Sequence, residues 1–145
     1  MDVAATFIIV FIIFGAFLEA FGGGQWFVDL AYSIAGRFRG GPAKTAIIGS
    51  GLMGMISGSP AANVATVGTF TIPLMKKVGY KDYEAGAIEA VASTGGMFTP
   101  PIMGAGAFIM AQYLEKTYSA ICVAAIVPAL LYYLALMFVV DARAV

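Results

Sequence analysis

The chain has 145 residues, of which 61% are apolar and only 11% charged, and its mean hydropathy is +0.91. Soluble domains are about a quarter charged, so there is too little charge here to cover a water-facing surface, and the composition is that of an integral membrane protein. Eight basic against eight acidic residues exclude a polybasic nucleic-acid surface, and the absence of histidine removes imidazole catalysis and most zinc sites. The single cysteine, Cys122, has no partner for an internal disulfide and reads as a small packing residue.

Residues 3–21 form the first expected span. Val3 to Leu18 is a run of 16 residues without a charge, extended past Glu19 by Ala20 and Phe21. A span needs roughly 20 apolar residues. Asp2 stands where a signal peptide would carry basic residues, so a signal peptide is disfavoured. Glu19, at the span end, reads as a solvated carboxylate. After Gly22-Gly23-Gly24, residues 25–38 are expected to form a short amphipathic interfacial helix. Trp26, Phe27, Leu30, Ala31, Ile34 and Phe38 make its apolar face, and Gln25, Asp29, Ser33 and Arg37 its polar one.

Thr45 to Met75 is a run of 31 residues without a charge. As one straight helix it would be about 46 Å long, against a hydrocarbon core of about 30 Å. Ser57-Gly58-Ser59-Pro60 stands near its middle, and proline with its small neighbours predicts a turn there. Arms of 12 and 15 residues remain, Thr45–Ile56 and Ala61–Met75. Arg37, Arg39 and Lys44 precede the run and Lys76, Lys77 and Lys81 follow it, so six of the eight basic residues flank one segment. The positive-inside rule places both flanks in the cytoplasm. Residues 43–75 are therefore expected to be a re-entrant helical hairpin.

Residues 82–113 form the next expected unit, a broken span. Ser93-Thr94-Gly95-Gly96 and Thr99-Pro100-Pro101 interrupt its apolar run, leaving half-helices at about 82–93 and from Pro101 to about Tyr113. Non-helical backbone at membrane depth persists only where protein or a water-filled cavity satisfies it. Residues 118–140 make the last span. The fold class expected is thus all-α integral membrane.

Secondary transporters hold ions and substrates at broken helices near the midplane. The hydroxyls of Ser57, Ser59 and Thr94 suit a weakly held Na⁺, and Gly58, Gly95 and Gly96 let carbonyls approach closely. Asn63, four residues after Ser59, can face the same cavity. Small residues also serve helix packing, and Gly54 with Gly58 matches that pattern. Glu89 lies about 10 Å along its helix from Asp82. At that depth an ionisable group is a proton-titrating carboxylate, one that holds the loop by accepting from nearby hydroxyls, or a hydrated one near the interface. No Walker A sequence and no nameable catalytic dyad are present, so an enzyme is not expected.

The stretch GMISGSPAANVATVGTFTIPLMKKVGY (Gly54 to Tyr80) and the following EAVASTGGMFTPPIMGAGAFIMAQYL (Glu89 to Leu114) resemble the large membrane subunit of tripartite ATP-independent periplasmic (TRAP) transporters. The flavour is that of fused permeases working with TAXI-type binding proteins. The Arg-x-Arg-Gly-Gly segment, Arg37 to Gly41, fits as well. Pro60 departs from the alanine expected after Ser-Gly-Ser. The resemblance implies an elevator-type secondary transporter of two inverted halves, of which this chain, with one hairpin and one broken helix, is one half: a fragment or a split product. It implies import of organic acids, coupled to Na⁺ or H⁺, across a bacterial or archaeal cytoplasmic membrane. The implied partners are a TAXI-type periplasmic binding protein, a small membrane subunit or fused small-subunit domain, the second half of the permease, and lipid. Matching the motifs gives Ser57, Gly58, Ser59, Asn63, Ser93, Thr94, Gly95, Gly96, Thr99, Pro100 and Pro101 as ion or substrate positions, Ser57, Ser59, Thr94 and Gly95 being Na⁺ candidates. Glu89 is the coupling candidate. A filter-type channel and a structural subunit without transport are the alternatives.

Overall fold

In a computed structural model the backbone of residues 2–144 and the side chains of Thr6 and of residues 8–144 are described. Among them the regular structure is helical throughout: α1 (Asp2–Ala20), α2 (Gly23–Ala35), α3 (Gly41–Ser57), α4 (Pro60–Thr66), α5 (Gly68–Lys77), α6 (Asp82–Gly96), α7 (Gly106–Tyr113) and α8 (Tyr118–Arg143). Among the described residues, α8 alone qualifies by length and apolarity as a membrane span, and Ile8–Ala20 with Gly23–Ala35 qualify as a pair bent by 71°. The bend is set at Gly22, whose φ of 81° is left-handed and open to a residue without Cβ.

The expected interfacial helix is α2, and it runs lengthwise along α3. Gly24 meets Thr66 and Val67, while Val28 and Ala31 meet Gly49 of α3. The face that packs is the one with small residues: Gly24, Val28, Ala31 and Ala35 are buried, and Trp26, Leu30 and Ile34 stay exposed. Apolar side chains gain little by leaving lipid for protein, so close backbone approach selects the buried face.

Residues 41–77 turn back on themselves as a helical hairpin. α3 starts at Gly41 and ends on Gly58, whose φ of 63° turns its N–H back to the Gly54 carbonyl. Ser59 is extended and caps α4, accepting from the Ala62 N–H at 3.3 Å. Pro60 occupies the first helical position, where its missing N–H removes no helical bond. The return arm is interrupted once more, at Val67 between α4 and α5. The base closes beside its start: a Cβ on Gly40 would lie 3.7 Å from the Tyr80 hydroxyl and 3.1 Å from Ala144.

The broken span also differs from expectation. Ser93-Thr94-Gly95-Gly96 is the last turn of α6, and the irregular segment is 97–105. Small residues tolerate helical geometry, and here they are needed for close packing. A Cβ on Gly96 would come 2.5 Å from the Gly54 Cα, and one on Gly95 2.7 Å from the Tyr132 ring. Pro100-Pro101, joined by a cis peptide bond, ends any continuation of the helix.

Charged groups gather at the hairpin base. Lys44 pairs with Asp141 at 2.5 Å, Lys76 with Asp82 at 2.9 Å, and Arg143 with Glu84. Arg39 donates twice to the Ala144 carbonyl, at 3.1 and 2.7 Å. Burial, with Glu84 and Asp141 nearby, pushes the Tyr80 phenol up. Above this end α3, α5, α6 and α8 share a core of Ala46, Ile47, Met75, Ala85, Ala92 and Val140.

Candidate functional site

Two layers join the hairpin to the broken helix. The upper one is backbone against backbone. A Cβ on Gly58, at the tip, would be 3.0 Å from the Gly104 Cα, and the Gly104 N–H donates to the Met55 carbonyl at 3.0 Å. Ser57 and Ser59 lie here, half-buried, with the Ser57 hydroxyl 3.4 Å from both the carbonyl and the N–H of Ser59. Thr99 donates to the Gly95 carbonyl at 2.7 Å, which fastens the start of the irregular segment to α6. Tyr132 and Tyr133 of α8 donate to the carbonyls of Val91 and Ala92, at 2.7 and 3.1 Å.

The lower layer is a buried polar cluster drawn from α3, α4, α5 and α6. Glu89 is fully buried, at 0% exposure. Its Oε1 accepts from the Ser50 hydroxyl and, at 3.3 Å, from the Ser93 hydroxyl. Its Oε2 accepts from the Thr71 hydroxyl at 2.6 Å. The Asn63 amide bridges the arms, donating to the Ser50 carbonyl at 2.9 Å and to Ser93 Oγ at 3.0 Å. Asn63 Oδ1 is buried and has no hydrogen-bond partner among the described residues. No salt bridge among the described residues reaches Glu89. Gly68, at the α4–α5 interruption, makes room for the carboxylate: a Cβ there would stand 3.3 Å from the Glu89 Cγ.

Hydroxyl and amide donors satisfy a carboxylate's lone pairs without neutralising its charge, and an uncompensated charge in a dry interior is costly. A small cation or a proton would supply the compensation. The lone pairs of Ser50, Thr71 and Ser93, together with the open Asn63 Oδ1, are the neutral oxygens available around Glu89.

Of the positions expected from sequence, Asn63, Glu89 and Ser93 converge. Ser57, Gly58 and Ser59 belong to the tip layer, and Thr99 and Pro100 to the irregular segment. Gly95 and Gly96 pack against α8 and α3. Thr94 is exposed, and its hydroxyl donates to the Ala90 carbonyl of its own helix at 2.8 Å, so it does not join the cluster. Glu19 is half-buried rather than solvated and accepts from the Thr66 hydroxyl beside the α4–α5 interruption. Ser50 and Thr71 are not among the positions expected from sequence. The available signal was spacing: Glu89 and Ser93 are one turn apart, and Asn63, Val67 and Thr71 lie on one face of a helical period.

A family model described as "Tripartite ATP-independent periplasmic transporter, DctM component" matches residues 1–145. The chain is 33% identical over 133 residues to a C4-dicarboxylate TRAP transporter large permease protein of Pseudomonas aeruginosa, covering 90% of this chain and 30% of that protein. It is 35% identical over 128 residues to an isethionate TRAP transporter permease protein of Oleidesulfovibrio alaskensis, covering 88% of this chain and 20% of the relative. A C4-dicarboxylate large permease of Vibrio cholerae is 34% identical over 92 residues, 63% of this chain and 20% of the relative. The chain thus spans about a third or less of the length of these relatives. With its helical hairpin docked on a broken helix and a family match along its whole length, the chain belongs to the DctM family of tripartite ATP-independent periplasmic transporters.

Proposed function

We propose that this chain forms one structural half of an ion-gradient-driven membrane permease that imports organic acids. The observation that carries the reading is the buried Glu89 carboxyl, without an ion-pair partner among the described residues and held by hydroxyls of two hairpin segments, α3 and α5, and of α6 at the seam between the hairpin and the broken helix. A coupling ion must be bound and released as the transport unit changes state. A site made where two elements meet changes whenever they separate, and its weak neutral ligands allow fast exchange. Binding Na⁺ or H⁺ at Glu89 lowers the cost of the buried charge and so favours the closed seam.

The solute in this reading is an organic anion, in keeping with the dicarboxylate and isethionate named for the relatives. A periplasmic binding protein, of the TAXI type on the sequence resemblance, delivers it. A small membrane subunit or fused domain and the second inverted half complete the permease, as an elevator-type transporter in the cytoplasmic membrane. Residues 43–75 make the re-entrant hairpin, with both ends at the cytoplasmic face.

The test is uptake into proteoliposomes by the complete permease with its binding protein, with Na⁺ and pH gradients imposed separately. Accumulation driven by one of the two gradients is expected. Equilibration without accumulation under either gradient would support a channel instead.

A further inference from the structure

We propose that a groove at the charged end of the bundle binds a zwitterionic phospholipid with a primary ammonium headgroup, of the phosphatidylethanolamine type. The groove has a volume of about 310 Å³ and lies between the end of α2, the start of α3 and the last turns of α8. Ile34, Phe38, Ile48, Leu134, Met137 and Phe138 form its walls. Large apolar side chains stay exposed along its rims, Phe38 at 64% and Phe138 at 72%. Its mouth is different in kind. Lys44 and Asp141 line it and pair at 2.5 Å, the lysine 19% and the aspartate 54% exposed. Arg37, also exposed, follows α2 in the same turn of chain.

An acyl chain suits the walls, because a groove beside a spanning helix of a membrane protein opens to lipid tails. The choice of headgroup comes from charge. An anionic headgroup would meet Lys44 but also Asp141, and like charges repel at this range. A phosphate followed by an ammonium presents both signs in series. The phosphate fits Lys44, and the ammonium fits Asp141, whose carboxylate is more than half exposed. A primary ammonium brings three N–H donors to that carboxylate. A trimethylated ammonium has the charge without the donors, so phosphatidylcholine forfeits the charge-assisted hydrogen bonds.

The experiment uses the complete permease, delipidated and exposed to equimolar dioleoyl phosphatidylethanolamine, phosphatidylglycerol and phosphatidylcholine in mixed micelles, with retained lipid counted by native mass spectrometry. Phosphatidylethanolamine should be retained in preference to both others. Asp141→Asn should cut that preference by about two- to fivefold, the scale of a half-exposed ion pair, and raise phosphatidylglycerol retention. Lys44→Gln should weaken all three lipids together, and Met137→Trp, which fills the groove, should displace all three. Each variant is first checked for unchanged thermal stability, and the wild-type headgroup order stands as a test even where a variant fails to insert. Equal retention of the three lipids, or preference for phosphatidylglycerol, overturns the proposal. So does the absence of retained lipid, or cross-linking of a cysteine at Phe138 to another permease segment, either of which means protein fills the groove.

Discussion

Glu89 concentrates the consequences of this fold in one side chain. Three hydroxyls donate to it, and hydrogen bonds to charged groups contribute about 1.5–3 kcal/mol each. Glu89→Gln removes the charge but retains the shape, and a neutral amide costs less in the interior. The variant permease should insert normally and lose accumulation against a gradient. Uptake at several pH values, with Na⁺ varied independently, checks this; wild-type accumulation at every condition would reject a coupling role. A second contrast separates neighbours in sequence. Ser93→Ala removes a donor to Glu89 and an acceptor for Asn63, and should raise the apparent KM for the coupling ion several-fold, on the scale of about 1 kcal/mol or more. Thr94→Ala touches only a bond to its own helix and should leave that KM within about twofold, as expected of an exposed site. Kinetic titration of both variants with the ion decides between them. That Thr94 looked the better ligand from sequence, and Ser93 is the one in the cluster, follows from helical phase. On α6, Ser93 stands one helical turn after Glu89 on the same face, whereas Thr94 is turned away and bonds only to its own helix.

At the scale of elements, glycine contacts decide how the hairpin sits on α6. Gly96→Ala places a methyl 2.5 Å from the Gly54 Cα, against backbone that cannot rotate away. The variant should destabilise by about 1–3 kcal/mol, the usual cost of overpacking, and separate the hairpin from the broken helix. Gly86, on the same helix, has nothing within 4 Å of an added Cβ. Gly86→Ala should instead stabilise α6 by about 0.5–1 kcal/mol. Thermal unfolding of the two variants in detergent gives the comparison, and equal shifts would contradict the packing account. The breaks themselves were unevenly legible. Pro60 marked one because Gly58 and Ser59 beside it supply the left-handed and extended residues a turn requires. Pro73 and Pro128 lie inside α5 and α8 without ending them, since neighbouring helices fix the chain and a single missing donor is tolerated. The interruption at Val67 has no proline or glycine at its centre. It appears where Gly68 has to admit Glu89.

Taken whole, the molecule puts the hairpin base, the end of α8 and the start of α6 at one charged end. α8 runs from Tyr118 to Arg143, 26 residues, about 39 Å at helical rise. That exceeds the hydrocarbon core of about 30 Å, so Lys116 should lie across the membrane from Arg143. Cysteines at Arg37 and Lys77 should be labelled by an impermeant maleimide from the same side, and a cysteine at Lys116 from the other. Labelling of Arg37 and Lys77 from opposite sides would abolish the hairpin topology. Much of this was readable in one dimension. Scarcity of charge selects lipid as the solvent, an overlong apolar run with a central Ser-Gly-Ser-Pro forces a turn, and basic flanks predict both ends at one face. These are local or additive properties, so a linear chain displays them. The partners of Glu89 were not readable. Ser50 is 39 residues from it and Thr71 is 18 away, and nothing in either residue's neighbourhood names a carboxylate. Their meeting depends on how closely Gly54 lets α3 approach Gly96 and on the room Gly68 leaves beside α6. The same holds for α2, whose buried face carries Gly24, Val28, Ala31 and Ala35 while Trp26, Leu30 and Ile34 stay exposed. Small residues won the contact with α3, because in lipid close approach outweighs apolarity.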